Sequence, residues 1–170
     1  MVHDTAMSLY TPCTLHHRGA VGTWTLAAGK VAGTCTLHAA AADQTVVVTI
    51  PVLVPSNSVA LKGSYLKSIE IDYELIWDNV VSVTAAVNKV TRGVDGAVAV
   101  VSSLAFTQDP TAAVAKMGGD YEHRLVLTLT TPFWVLNTEY VLVELTIVST
   151  LASGALINLL GSFANYTLRM

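Results

Sequence analysis

Between Tyr65 and Trp77 the chain alternates with a period of two. Ile69, Ile71, Tyr73, Leu75 and Trp77 point one way, and Ser68, Glu70, Asp72 and Glu74 point the other. Such a segment is a strand with one face in a core and one in water. Comparable runs predict strands over Gly22 to Ala27, Val31 to His38, Thr45 to Val54, Val81 to Thr91, Val98 to Thr107, Glu122 to Thr131, Tyr140 to Val148 and Leu156 to Leu168. About nine strands and no long helical period predict an all-β fold, a jelly-roll-like antiparallel β-sandwich.

Turn chemistry supports these boundaries. Ala28-Gly29 suits a short hairpin connection, and Pro55-Ser56-Asn57-Ser58 ends the third strand. Pro51 lacks a ladder donor, which predicts an edge position or a bulge there. Asn79 to Lys89 contains alanines and a capping asparagine, but Val81, Val83 and Val87 alternate, so strand is preferred. Thr111 to Met117, after Pro110, is read as a loop with a short helix ended by Gly118-Gly119.

The strands at Glu122 to Thr131 and Tyr140 to Val148 carry apolar residues on both sides. Val141, Val143, Leu145 and Ile147 oppose a second face that includes Tyr140, Leu142 and Val148. One sandwich layer needs only one apolar face, so the second is expected to meet a neighbouring subunit.

Composition strengthens this reading. The 170 residues are enough for one domain and include 24 Val, 20 Thr and 6 Ile, branched side chains that suit a pleated surface. Only 12% are Asp, Glu, Lys or Arg, against about 25% in an ordinary soluble domain. Partners are therefore expected to cover part of the surface. The net charge of −3 lacks the basic excess that phosphate contacts need, which argues against nucleic acid. The 24 uncharged residues between Glu144 and Arg169 are long enough to span a bilayer, but Thr146, Ser149, Asn158, Ser162 and Asn165 interrupt them. Two buried strands, and no membrane partner, are the reading. The N-terminus has no basic segment followed by an apolar run, so synthesis in a cytoplasm is expected. Cys13 and Cys35 allow one bridge at most, and that compartment disfavours it.

Candidate chemistry is sparse. Glu70, Asp72 and Glu74 stand about 6.6 Å apart per step on one face. That spacing could serve paired carboxylates or a calcium site, but a wet or salt-bridged face is preferred, with Lys89, Arg92 or Arg124 across from it. Cys13, His16, His17, Cys35 and His38 have the atom types of a zinc site, yet a strand sends Cys13 and His16, and Cys35 and His38, to opposite faces. No serine elbow or glycine-rich phosphate loop is present. No catalytic residue, metal or cofactor is assigned, and the chain is read as a non-enzyme. Trp24, Trp77 and Trp134, with Tyr65, Tyr73, Tyr121 and Tyr140, could form a sugar-stacking platform, although Trp77 continues a core stripe and Phe133-Trp134 suits an end plug or subunit contact. Asn165-Tyr166-Thr167 is a formal glycosylation sequon inside a predicted strand.

The long alternating strands, the low charge and the terminal Gly161-Ser162-Phe163-Ala164-Asn165-Tyr166-Thr167-Leu168-Arg169 resemble, over roughly residues 20 to 170, the β-sandwich accessory proteins of tailed-phage virions, such as capsid-decorating or head-spike subunits. The resemblance implies a structural protein of a bacteriophage virion, assembled in the host cytoplasm with other virion proteins as a homo-oligomer, a trimer or larger ring. It also implies an N-terminal arm at residues 1–18 and a sandwich at 19–170. Leu9, Tyr10, Leu15, Phe133, Trp134 and Leu142 are the candidate interface residues. The alternative is a carbohydrate-binding or adhesive β-sandwich module.

Overall fold

The computed structural model describes residues 4–12, 16–21, 24–28, 35–39, 44–55, 63–76, 80–109, 121–149 and 156–169. They contain β1 (Asp4–Pro12), β2 (His16–Val21), β3 (Trp24–Ala28), β4 (Cys35–Ala39), β5 (Gln44–Val52), β6 (Ser64–Ile76), β7 (Val80–Thr91), β8 (Val100–Leu104), β9 (Phe106–Asp109), β10 (Tyr121–Val135), β11 (Glu139–Ser149) and β12 (Leu156–Arg169). A seven-stranded sheet has the order β3-β4-β12-β6-β10-β9, with β1 also paired to β12, and a five-stranded sheet has the order β2-β5-β11-β7-β8. All pairings between them are antiparallel. The chain is the all-β sandwich that its alternation implies.

The core lies between the sheets. Leu66, Ile69, Ile71 and Tyr73 of β6, Leu125 and Leu127 of β10, and Ile157 and Leu159 of β12 face Val46, Val48 and Ile50 of β5 and Val141, Val143, Leu145 and Ile147 of β11. Burial drives the Tyr73 hydroxyl up to about 12, so the ring stays neutral in this apolar setting.

Three departures from simple alternation shape the molecule. The predicted strand from Val98 to Thr107 breaks at Ala105: β8 pairs with β7 in one sheet and β9 with β10 in the other. The chain thus turns a corner of the sandwich, where Ala105 O accepts from Thr130 N at 2.9 Å. The second departure is a set of bulges. Leu160 is the extra residue of β12 opposite β6, and Lys67 is the extra residue of β6 opposite β12. Each reverses which parity of residue faces inward, so β12 buries Ile157 and Leu159 but then Ala164, Tyr166 and Leu168.

The third departure concerns the expected arm. Asp4–Pro12 runs along Arg169–Gly161 of the same chain, and His16–Val21 runs along β5. Leu9 packs against the core and Thr11 is buried, while most of β1 is exposed. An edge strand with so few inward positions carries too weak a pattern to be recognised by alternation. Pro51 sits where β5 still pairs with β11 but β2 has already ended at Thr49, so the missing donor costs no ladder to β2. Val80–Thr91 is strand, as preferred over helix. The expected short helix at Thr111 to Met117 lies outside the described residues.

Candidate functional site

Among the described residues, the outward face of the seven-stranded sheet brings together a set of polar side chains and two aromatic pairs. Arg124 on β10 is the register partner of Asp72 on β6. Its Nε donates to Asp72 Oδ1 at 2.8 Å and its Nη2 to Asp72 Oδ2 at 3.2 Å, while Nη1 lies 3.2 Å from Glu70 Oε2. The hydrogen bond and charge of Asp72, and to a smaller extent the charge of Glu70, raise the guanidinium above its ordinary value. Asn165 of β12 donates from Nδ2 to Glu70 Oε1 at 2.7 Å and to Ser68 Oγ at 3.3 Å, and its Oδ1 accepts from Ser8 Oγ at 2.5 Å. Asn158 Nδ2 donates to Glu74 Oε2 at 2.8 Å. A row of amides and carboxylates therefore runs across β1, β12, β6 and β10.

Two aromatic pairs share this face, one beside the row at the level of Glu70 and one beyond Ser68. Tyr10 of β1 and Phe163 of β12 have ring centroids 4.9 Å apart, and Arg124 lies 5.7 Å from the Phe163 centroid. The Tyr10 hydroxyl donates to Leu160 O at 2.9 Å. Its ring covers Gly161, where an added Cβ would come within 2.5 Å of Tyr10 Cε2. Glycine is therefore what lets the ring lie down on the strand. Beyond Ser68, Tyr65 and Trp134 have centroids 5.1 Å apart. An open groove of about 360 Å³ there is lined by Asp4, Tyr65, Lys67, Trp134 and Thr167. A second, of about 220 Å³, is lined by residues that include Ser8, Lys67 and Asn165. Because Thr167 pairs with Tyr65, and Tyr10 with Phe163, the two aromatic pairs are separated by four residues of β12, about 13 Å.

Of the predicted carboxylate partners, Arg124 alone lies opposite Glu70 and Asp72. Lys89 belongs to the other sheet, where its Nζ bonds Glu139 Oε1 at 2.9 Å, and Arg92 follows β7, where its backbone N donates to Thr138 O at 2.7 Å. His16 and His17 lie on β2 and Cys35 and His38 on β4, in different sheets, while Cys13 lies outside the described residues. Among the described residues no three His, Cys, Asp or Glu gather as a metal site, and no helix is long and apolar enough to cross a membrane.

The candidate interface residues separate. Leu9 and Phe133 are half-buried and pack against the core. Tyr10 is 47% exposed and Trp134 half-buried, both on the seven-stranded face. Leu142 is half-buried on the outer face of the five-stranded sheet, and Leu15 lies outside the described residues, as does Trp77. Tyr73 is core, and Tyr140 is on the five-stranded face. Phe163 escaped the sequence reading because the bulge at Leu160 turns it outward.

No protein-family model matches the chain, and no curated protein matches it. Among solved structures it is similar to a carbohydrate-binding module of the β-sandwich superfamily, at 10% identity over 90% of this chain and 56% of that one, with a TM-score of 0.44. It is similar also to the family 11 carbohydrate-binding module from Clostridium thermocellum in complex with a β-1,3-1,4-mixed-linked tetrasaccharide, at 9% identity over 95% of this chain and 87% of the other, TM-score 0.35. A third is the enzymatically active domain of bacteriophage CBA120 tailspike protein 4, at 8% identity over 95% of this chain and 19% of that one, TM-score 0.34. The chain spans about half the length of the first and a fifth of the third. These likenesses concern the β-sandwich.

Proposed function

We propose that the chain is a non-catalytic binding module that takes a neutral glycan chain on the outward face of its seven-stranded sheet. The observation that carries this reading is two aromatic pairs on one open face, Tyr10–Phe163 and Tyr65–Trp134, with Asn165 between them and Glu70, Asp72 and Arg124 beside the first. Sugar rings offer C–H faces that pack on aromatic rings and hydroxyls that both donate and accept. Amides and carboxylates answer those hydroxyls in both roles. The grooves are open, which suits an extended polymer better than a small molecule that needs enclosure. Asp4, Glu70, Asp72 and Glu74 against Arg124 and Lys67 disfavour a polyanion.

Affinity electrophoresis of the full chain through gels containing neutral plant, fungal or bacterial polysaccharides tests this. Retardation by at least one of them is expected, reduced several-fold in Tyr10→Ala and in Trp134→Ala. Unretarded migration in all gels, or retardation that both variants retain, would refute it.

A second reading, a self-associating structural component of a phage virion, is favoured by the opposite face. Val47, Pro51, Tyr140, Leu142, Val148 and Val101 lie on the outside of the five-stranded sheet, and Glu144 is the single charged side chain described there. Imaging of the natural assembly would test it, with regularly placed copies on a capsid or tail as the expected result and their absence as the refuting one.

A further inference from the structure

The hairpin that joins β7 to β8 is built to stand out from the sandwich. Ala97 N donates to Val94 O at 3.0 Å, and Asp95 and Gly96 between them have φ of 53° and 83°. Two consecutive positive φ values in an Asp-Gly pair make a type I′ turn, whose twist matches that of the flanking strands. Gly93 presses the two arms together, since a Cβ there would meet Ala97 O at 2.0 Å. The arm is preorganised, yet its apolar side chains stay largely in water: Val94 is 76%, Val98 90%, Val100 61% and Val101 62% exposed.

The backbone of this arm is equally open. β8 pairs with β7 on one side, and among the described residues no strand lies along its other side. Edge strands exposed to water are ordinarily guarded by a lysine, a proline or an inward charge. From Gly96 to Gln108 the chain has none of these. Val101 also borders a groove of about 370 Å³ shared with Val90, Tyr140 and Leu142, so the open edge continues into the uncharged outer face.

We propose that the open edge of β8 is a self-association site whose occupant is the β8 edge of a second copy, paired antiparallel about a two-fold axis. The proposal rests on the self-association reading above and deepens it by naming the contact. A two-fold axis through one continuous sheet sets one residue against itself and its neighbours against near neighbours in sequence. With Val101 on the axis, Val100 meets Ser102 and Ala99 meets Ser103, so every opposed position is uncharged and no like charges meet. A charged partner strand would find no counter-charge on this edge, whereas a second copy matches it in both hydrogen bonding and polarity.

Light scattering coupled to size exclusion, on the full chain across micromolar concentrations, tests this. The expected mass is twice the 18.0 kDa of one chain or a multiple of it. Val98→Lys and Val101→Lys, both at exposed positions, are each expected to halve the assembly mass while leaving the far-ultraviolet circular dichroism unchanged. Val98→Lys, at the more exposed position, serves as the test should Val101→Lys fold poorly. A wild-type mass of one chain at all concentrations overturns both this proposal and the self-association reading. A wild-type oligomer that both lysine variants preserve overturns the β8 contact alone.

Discussion

Replacing Gln108 by leucine tests how the two sheets are held together at the corner the chain turns at Ala105. β8 borders β7 only from Val87 to Thr91, so the edge of β7 before Val87 has no strand beside it among the described residues. Gln108, on β9 of the opposite sheet, reaches across: its Oε1 accepts from Ala85 N at 3.3 Å, and its Nε2 donates to Val83 O at 3.3 Å. The side-chain amide thus takes the place of one residue of a missing strand.

Leucine keeps much of the bulk and removes both polar groups. Each lost bond is worth roughly 0.5–1.5 kcal/mol, and a backbone group left without a partner adds a desolvation cost of similar size. Both bonds are at the long end of the useful range, and Gln108 is half-buried, so the sum is expected near the low end, about 2 kcal/mol. For a chain of this length that corresponds to a fall in Tm of about 4–8 °C. Gln108→Glu should lie between wild type and leucine at neutral pH, because a carboxylate accepts from Ala85 N but cannot donate to Val83 O. Urea unfolding followed by tryptophan fluorescence measures all three, and amide exchange at Ala85 reports the bond directly. A leucine variant within about 0.5 kcal/mol of wild type, or an Ala85 amide that stays equally protected, would refute the bridging role.

The same unfolding assay separates the two faces of β6. Ile71 is fully buried and Asp72 is paired with a guanidinium that is 55% exposed. Ile71→Asp should lose roughly 1.5–3 kcal/mol of apolar burial and add the cost of an unpaired buried acid, whereas Asp72→Ser should shift the midpoint by about 1 kcal/mol or less; equal shifts would mean the register is wrong. Glu139 gives a pH test. Burial of its side chain, 7% exposed, pushes the carboxyl up, but bonds from Lys89 Nζ and Leu136 N together with the lysine charge outweigh that and hold it below the ordinary carboxylate range. A depressed carboxyl stabilises fully above its unfolded value and loses that contribution as pH falls through the folded value. Glu139→Gln should therefore cost stability near neutrality and little well below the carboxylate range; a difference independent of pH would refute the ion pair as its source.

Much of the architecture was legible because burial on one face leaves a period-two imprint. The alternation of Ile69, Ile71 and Tyr73 against Glu70, Asp72 and Glu74 is the arrangement that β6 adopts. β10 and β11 were readable for the same reason. The break at Ala105 was not, since Leu104-Ala105-Phe106 carries no glycine, proline or charge to mark a change of sheet. β1 was missed as a strand because an edge with two inward residues barely differs from a loop in pattern. The proposed binding face was the least legible feature. Counting by twos from Ile157 and Leu159 sends Phe163 into the core, and only the extra residue at Leu160 turns it out beside Tyr10. That pair joins residues from opposite ends of the chain, a relation set by the register of β1 on β12 and by no local motif. Trp134, by contrast, follows the parity of Leu125 and Leu127 to the outer face without a surprise.

The two proposed surfaces are compatible by geometry, because they belong to different sheets. Tyr10, Phe163, Tyr65 and Trp134 lie outside the seven-stranded sheet, while the free edge of β8 belongs to the five-stranded one. A two-fold axis normal to the five-stranded sheet keeps both seven-stranded sheets on the same side of it, so the two aromatic faces look in one direction. Pairing through β8 would thus cover neither face and would present both to one polymer or one surface. Linked sites of that kind can raise avidity over a single site by about 10²–10⁴ with no new contact, provided both engage together. Weak binding by one open face, which buries little of a glycan and encloses none of it, then becomes adequate for retention. The two proposals are therefore mutually consistent: the proposed dimer would strengthen a shallow site, and the proposed site would remain open in that dimer.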